Sequence, residues 1–216
     1  MRMTLLLMVL AVSWVPLDAG ATGNVHARPQ KLQKECLSPS KVQLKGDLRK
    51  LWIDHGIWTR NYIVSALAGL EDQEKTLNRL LRNQQDIGNA MKPYYGEEVG
   101  NKLAELLREH ILIAGKLVDA AKNENLVEVE KANKEWYSNA DVIAQFLSSA
   151  NPNWSNKELQ DLLHRDLQLI TDKVSARLKK DWDADINAFD IGETHLILLA
   201  DVLADGIIKQ FPKLLK

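Results

Sequence analysis

The sequence predicts an all-α protein, an up-and-down bundle of four long helices with one or two short additional helices, over residues 47–212. Three observations support this prediction. Apolar residues recur at the three- and four-residue spacing of amphipathic helices, and no segment alternates as a strand does. Glycine and proline are few, at 11 and 6 residues. A hydrophobic share of 45% in 216 residues is enough for one domain with a sizeable core.

Residues 1–21 have the pattern of a secretory signal peptide. Arg2 precedes an apolar run over residues 5–15, and Ala19-Gly20-Ala21 supplies the small residues that a signal peptidase accepts. The apolar run is shorter than the roughly 20 residues that a membrane-spanning helix needs. We therefore expect a secreted, extracellular protein that has no membrane span after the signal is removed.

Residues 22–46 are expected to form a basic arm between the signal and the bundle. The segment contains Pro29, Pro39 and two serines, and its basic residues outnumber its acidic ones. Cys36, the only cysteine of the chain, lies in this arm. A lone cysteine in a secreted protein is either free or paired with another chain, so a covalent dimer through Cys36 is one of two open alternatives.

The first predicted helix covers residues 47–69, and its apolar residues occupy most of its circumference. His55 and Arg60 lie within these apolar stripes. An unpaired buried charge is costly, so Arg60 needs a carboxylate partner such as Asp185 or Asp201, or a bound anionic ligand. The alternative is an arginine whose charged end reaches the solvent.

A short helix is predicted to follow over residues 70–83. The amide-rich residues 83–89 are predicted to break it or to form a second short turn of helix. Residues 92–96, Lys-Pro-Tyr-Tyr-Gly, are a clear interruption. A long helix is then predicted over residues 97–122, with acidic residues in its first turn that favour the helix dipole.

Three more helical segments complete the predicted bundle. Those over residues 125–149 and 156–180 both begin with the residue spacing of a capping box. The last segment covers residues 182–211 and is stopped by Pro212. Because neither glycine nor proline separates the last two segments, the sequence leaves open whether they form one helix or two.

Four histidines fall in four different long predicted helices, at or beside their apolar faces: His55, His110, His164 and His195. Helical bundles build metal and haem sites from side chains that project inward in this way. The spacing is not specific, because the chain contains no Glu-x-x-His, His-Glu-x-x-His or Cys-x-x-Cys-His motif. Three interpretations stay open: a structural network of neutral imidazoles, a metal or haem site, and a pocket for a small organic ligand.

Other functions have less support. The 28 basic and 29 acidic residues give no overall positive field that would favour nucleic acid. No nucleophile elbow, phosphate-binding loop or dinucleotide fingerprint is present, so a non-enzymatic protein is favoured over an enzyme. Asn153-Trp154-Ser155 matches the acceptor sequence for N-glycosylation, which matters only in a eukaryotic source.

Several motifs occur together in this chain: Trp52-x-x-His55-x-x-Trp58-Thr59-Arg60, Tyr95-Gly96, Gly100-Asn101, Leu106-Leu107-x-x-His110-Ile111, Trp136-Tyr137-x-Asn139-Ala140-Asp141, Asn151-Pro152, and Ala200-Asp201-x-Leu203-x-x-Gly206-Ile207-x-x-Gln210-Phe211-Pro212. With these motifs, about residues 48–212 resemble an uncharacterised family of helical-bundle proteins common in bacteria. The resemblance implies a shared bundle and no catalytic residues, since no activity is established for that family. The signal peptide and the basic arm depart from its usual pattern.

Two hypotheses about function follow. A secreted binding module would hold a metal or a small anionic ligand at an internal site formed by His55, Arg60, His110, His164 and His195. A structural or interaction component of an extracellular matrix would use the same residues only as a satisfied polar network and make its contacts through the arm and Cys36. Convergence of the four histidines is the observation that separates the two.

Overall fold

The computed structural model describes residues 37–216, and all regular secondary structure in that range is helical. Five helices follow in order: α1 (Pro39–Ala68), α2 (Gln73–Lys122), α3 (Leu126–Ala150), α4 (Asn156–Leu178) and α5 (Trp182–Gln210). The predicted all-α class is confirmed. The predicted count of four long helices is not confirmed, because there are five helices and even the shortest of them, α4, has 23 residues.

Helix α1 begins at Pro39 rather than at residue 47, so the last part of the predicted arm is helical. The cause is a start signal in the sequence: the Ser38 side chain accepts a hydrogen bond from the Lys41 N–H, and proline is favoured in the first turn of a helix. Ser38 Oγ also donates to the Leu215 carbonyl at 2.7 Å, which joins the start of α1 to the end of the chain. The predicted signal peptide, the rest of the arm and Cys36 lie outside the described residues.

Helix α2 folds back on itself at Gly96. The backbone there has φ 83° and ψ 173°, a conformation open essentially only to glycine. The two halves of α2 then pack so closely that a Cβ atom on Gly88 would lie 2.5 Å from the Gly100 carbonyl oxygen. The predicted interruption at residues 92–96 thus coincides with the turn. The predicted break at residues 83–89 is wrong, because the helix runs through them.

The five helices form a closed ring in which α1 contacts both α2 and α5. Helices α1 and α5 run in opposite directions, since Arg49 near the start of α1 meets Asp201 late in α5, while Arg60 meets Asp185 near the start of α5. Lys180, with φ 59°, lies in the turn between α4 and α5, so the last two predicted segments are separate helices. None of the described helices is long and apolar enough to cross a lipid bilayer.

Candidate functional site

His55 on α1 and His110 on α2 are the two predicted site residues that the structure brings together. Both are buried, and both line one enclosed cavity of about 20 Å³ in the centre of the bundle. Thr59 and Tyr62 of α1 and Trp136 of α3 also contribute to its wall. A cavity of this volume holds about one water molecule, whereas pockets for organic ligands occupy roughly 300 Å³ or more.

The other two histidines lie elsewhere. His164 on α4 is partly exposed, and its Nε2 lies 2.8 Å from a carboxylate oxygen of Asp141 on α3. His195 on α5 donates from Nε2 to the Leu162 carbonyl at 2.7 Å, so its Nε2 carries the proton. The four predicted histidines therefore form one internal pair and two separate contacts between neighbouring helices.

His55 is held by Gln84 from the first half of α2. The Gln84 amide nitrogen lies 3.2 Å from His55 Nδ1 and also donates to the Leu80 carbonyl at 2.9 Å. An amide nitrogen can only donate, so His55 Nδ1 accepts this bond. Burial is the main cause that lowers the pKa of His55 to about 3, and repulsion from the charged forms of His110 and Lys173 contributes to the same shift.

His110 is held by Asn139 from α3, whose side-chain oxygen lies 2.8 Å from His110 Nδ1. The Asn139 amide nitrogen donates to the Leu106 carbonyl and to the Glu109 carboxylate, both at 3.4 Å. These two bonds identify the oxygen as the atom that faces the histidine, so His110 Nδ1 is the donor. Burial lowers the pKa of His110 to about 4, and the imidazole is neutral at pH 7.

Arg60 does not belong to the internal histidine pair. It makes two hydrogen bonds of 2.9 Å to the carboxylate of Asp185, which is 2% exposed. Arg177 of α4 adds a third bond of 2.7 Å to the same carboxylate. Of the two partners predicted for Arg60, the structure places Asp185 against it, whereas Asp201 pairs with Arg49 near the surface.

Two further buried charged residues, Asp166 and Lys173 on α4, were not predicted from the sequence. Both side chains are buried. Burial raises the pKa of Asp166 and lowers the pKa of Lys173, while the attraction between the two opposes both shifts. The signal was present in the sequence, because the two residues lie seven positions apart and therefore on one face of the helix.

The described residues offer little support for a metal or haem site. Within residues 37–216 no group of three or more histidine, cysteine, aspartate or glutamate side chains is placed to hold a metal ion. A structural zinc site needs four ligands and a catalytic site three, and the internal cavity holds only two imidazoles. Its volume is also far below what a haem group needs.

The predicted glycosylation site lies in the turn between α3 and α4. Asn153 is exposed, and its side-chain nitrogen donates to the Asn151 side-chain oxygen at 2.9 Å. The next residue, Trp154, is buried against α5, where its indole nitrogen donates to the Val202 carbonyl at 3.3 Å. The acceptor asparagine is thus accessible, but its neighbour is fixed in the core.

A surface groove between α3 and α4 is a feature that the sequence motifs did not predict. It has a volume of about 440 Å³ and runs between α3 and α4 over a floor from α2. Its lining residues are Leu117 and Ala121 on α2, Leu126, Val129, Glu130 and Asn133 on α3, Thr171, Val174, Ser175 and Leu178 on α4, and Lys179 directly after α4. Leu126 is 78% exposed and Leu178 is 44% exposed, so apolar side chains at the rim face the solvent.

Comparisons with models of protein families, with curated proteins and with solved structures found no match. The resemblance based on the sequence motifs therefore stays a prediction.

Proposed function

We propose that this chain is a secreted, non-enzymatic interaction protein, and that the groove between α3 and α4 binds an amphipathic helix of a partner protein. The observation that carries the proposal is the open groove between α3 and α4, whose lining is mostly apolar. The pattern of a signal peptide in residues 1–21 supports a place of action outside the cytosol.

The walls of the groove have the periodicity of helix packing. On α3 the lining positions are 126, 129, 130 and 133, and on α4 they are 171, 174, 175 and 178. Each set repeats at three- and four-residue spacing, which is the spacing of a helix face that packs on another helix. Here the two faces flank a gap instead of filling it. A helix with apolar residues at the same spacing is the element that fits such a gap.

Charge at the rim adds a constraint on the partner. Exposed Glu130 lies on the α3 wall and exposed Lys179 on the α4 wall. Glu130 is also 2.7 Å from Lys134, but an exposed ion pair of this kind is weak and leaves the carboxylate free to bind elsewhere. A partner helix with a basic residue along its α3 edge and an acidic residue along its α4 edge complements both walls.

The interior argues for the interaction hypothesis over the internal-ligand hypothesis. His55 and His110 already have side-chain amide partners, and the cavity between them has room for about one water molecule. Arg60 already has a carboxylate partner, so it needs no bound anion. These contacts support a structural role for the residues that were predicted to form an internal site.

The test uses a labelled helical peptide with leucines at positions i, i+3 and i+7, a lysine on one edge and a glutamate on the other. Fluorescence anisotropy should show binding to the mature protein. A Leu126→Glu variant should bind about tenfold more weakly or worse, because it places a charge in the apolar groove. Val142→Glu is the matched control, since Val142 is 50% exposed on the same helix but outside the groove.

Two outcomes would contradict the proposal. Equal binding by a peptide of the same composition without an apolar face would show that the groove does not recognise a helix. Equal affinity in the wild type and the Leu126→Glu variant would show that the peptide binds elsewhere. A second copy of this chain is the other possible occupant of the groove, and sedimentation analysis without peptide tests it. A dimer that dissociates in the Leu126→Glu variant would mean that the groove is an interface between two copies.

A further inference from the structure

The enclosed cavity between His55 and His110 contains polar groups without partners. Thr59 Oγ1 and Trp136 Nε1 are fully buried, and neither makes a hydrogen bond with another described residue. Both residues line the cavity. Buried polar groups in proteins are nearly always paired, so two unpaired groups at one cavity indicate a missing partner.

The two imidazoles add one donor and one acceptor. His110 Nδ1 donates to Asn139, so the second nitrogen of this neutral ring, Nε2, is an acceptor. His55 Nδ1 accepts from Gln84, so in the neutral ring the proton is on Nε2, which is a donor. Because both Nδ1 atoms are already bonded to amides, Nε2 is the ring nitrogen of each histidine that remains available for a further hydrogen bond.

We propose that this cavity is a binding site for one water molecule that joins α1, α2 and α3. The water accepts hydrogen bonds from the Trp136 indole N–H and from His55 Nε2–H. It donates its two hydrogens to His110 Nε2 and to Thr59 Oγ1. The volume of about 20 Å³ is above the minimum that one water needs, and four polar partners are the upper end of what buried waters have.

The same set of partners excludes two other small ligands. An anion has no hydrogen to donate, so it would face the lone pair of His110 Nε2 without a bond. A metal ion would face the N–H groups of Trp136 and His55, which cannot act as ligands while they carry their protons. Water is the molecule with two donors and two acceptors, and it completes the polar network without any change in charge.

The first experiment is NMR on the mature ¹⁵N-labelled protein near pH 7. We expect a direct water-to-proton rotating-frame Overhauser peak at the Trp136 indole N–H, from a water that stays bound longer than surface waters do. Trp52 is the internal control, because its indole nitrogen is also buried and unpaired but Trp52 does not line the cavity. No peak at Trp136, or peaks of equal strength at both indoles, would overturn the proposal.

Two variants make the test specific. Thr59→Val keeps the shape of the side chain and removes the hydroxyl, so the peak at Trp136 should weaken severalfold or disappear. Thr76→Val is the control. The Thr76 hydroxyl donates to the Gln73 carbonyl in the first turn of α2 and does not line the cavity, so this variant should leave the peak unchanged. A peak that is equally strong in the Thr59→Val variant would overturn the assignment of Thr59 as a partner of the water.

A crystal structure of the wild-type protein gives an independent result even if the variants do not fold. We expect one density peak about 2.7–3.2 Å from both Thr59 Oγ1 and Trp136 Nε1. An empty cavity would overturn the proposal. So would a peak at about 2.0–2.1 Å from two imidazole nitrogens, because this is the bond length of a zinc ion to histidine.

Discussion

Arg60 on α1 and Asp185 on α5 form a two-point ion pair in which both nitrogen-to-oxygen distances are 2.9 Å. Arg177 on α4 binds the same carboxylate at 2.7 Å, so a single buried aspartate joins three helices. Arg60 also lies over the ring of Phe189, with its guanidinium carbon 4.9 Å from the ring centre. Such an arrangement fixes the positions of the three helices relative to one another, because bidentate pairs require a defined geometry.

The first prediction concerns this carboxylate. Asp185→Asn should lower the free energy of unfolding by about 3 kcal/mol, because it leaves two guanidinium groups in a largely buried site without a counter-charge. Asp201→Asn is the matched control. It breaks a pair with Arg49 that is near the surface, where such pairs contribute less than about 1 kcal/mol. Urea unfolding of both variants measures the difference, and similar losses would show that Asp185 has no special role.

The second prediction concerns the dependence of stability on pH. His55 and His110 have pKa values of about 3 and about 4 in the folded protein, against 6.5 ordinarily. Below pH 6.5 the unfolded chain therefore binds more protons at these residues than the folded chain does, and stability falls as the pH is lowered. Between pH 6.5 and 5 the loss should be about 2 kcal/mol for each histidine.

Urea unfolding at a series of pH values tests this second prediction. A double variant, His55→Gln with His110→Gln, should have a lower stability at pH 7 but a much smaller change between pH 6.5 and 5. This double histidine variant separates the histidine contribution from that of other groups, among them Asp166, whose pKa is raised by burial. An unchanged pH dependence in the double variant would mean that other groups cause it.

The third prediction concerns the contact between Trp154 and α5. A Cβ atom on Gly206 would lie 1.9 Å from the Trp154 indole nitrogen, so Gly206→Ala must displace the indole from its site. We expect a loss of about 1–3 kcal/mol in unfolding free energy. Gly46→Ala is the control, because nothing lies within 4 Å of a Cβ atom there, and alanine at this exposed position in α1 should stabilise the protein by about 0.5–1 kcal/mol. Thermal unfolding should move the two variants in opposite directions.

The fourth prediction concerns the buried charges of Asp166 and Lys173. Lys173→Met alone should destabilise the protein, because it removes the positive charge whose attraction most strongly offsets the burial of the Asp166 carboxyl group. Combined with Asp166→Asn, the same change should give a stability within about 1 kcal/mol of the wild type, since two costly buried charges are removed together. A double-mutant cycle measures the coupling, and strictly additive effects of the two substitutions would contradict it.

Much of this fold could be predicted from local sequence patterns. Helical periodicity, the capping residues Asn125 and Ser155, and the stop at Pro212 depend only on neighbours in the chain, and the corresponding helices are found where they were expected. The early start of α1 could also have been predicted, because Ser38-Pro39 is a local signal for the start of a helix. For residues 83–89 the local pattern left a break and a further turn of helix as alternatives, and it could not predict the contact of Gln84 with His55 on another helix.

Only part of the candidate site could be predicted from the sequence. That Arg60 needs a carboxylate followed from the cost of burying a charge, and Asp185 was among the partners expected. The spacing of Ile191, His195 and Leu198 puts all three on one face of α5, yet Ile191 is 43% exposed and Leu198 is 51% exposed. A hydrophobic pattern shows which side of a helix is apolar, but not whether a neighbour covers all of it.

Composition and periodicity were thus sufficient for the all-α class, for most helix boundaries and for the need of buried charges to be paired. The packing of the helices decided three other features: whether the four histidines meet, which amide holds each imidazole, and where an apolar groove is left. The physical reason is range: capping and periodicity act within one or two turns of helix, whereas His55 and Gln84 are 29 residues apart and Arg60 and Asp185 are 125 residues apart. Only the folded chain brings such residues into contact.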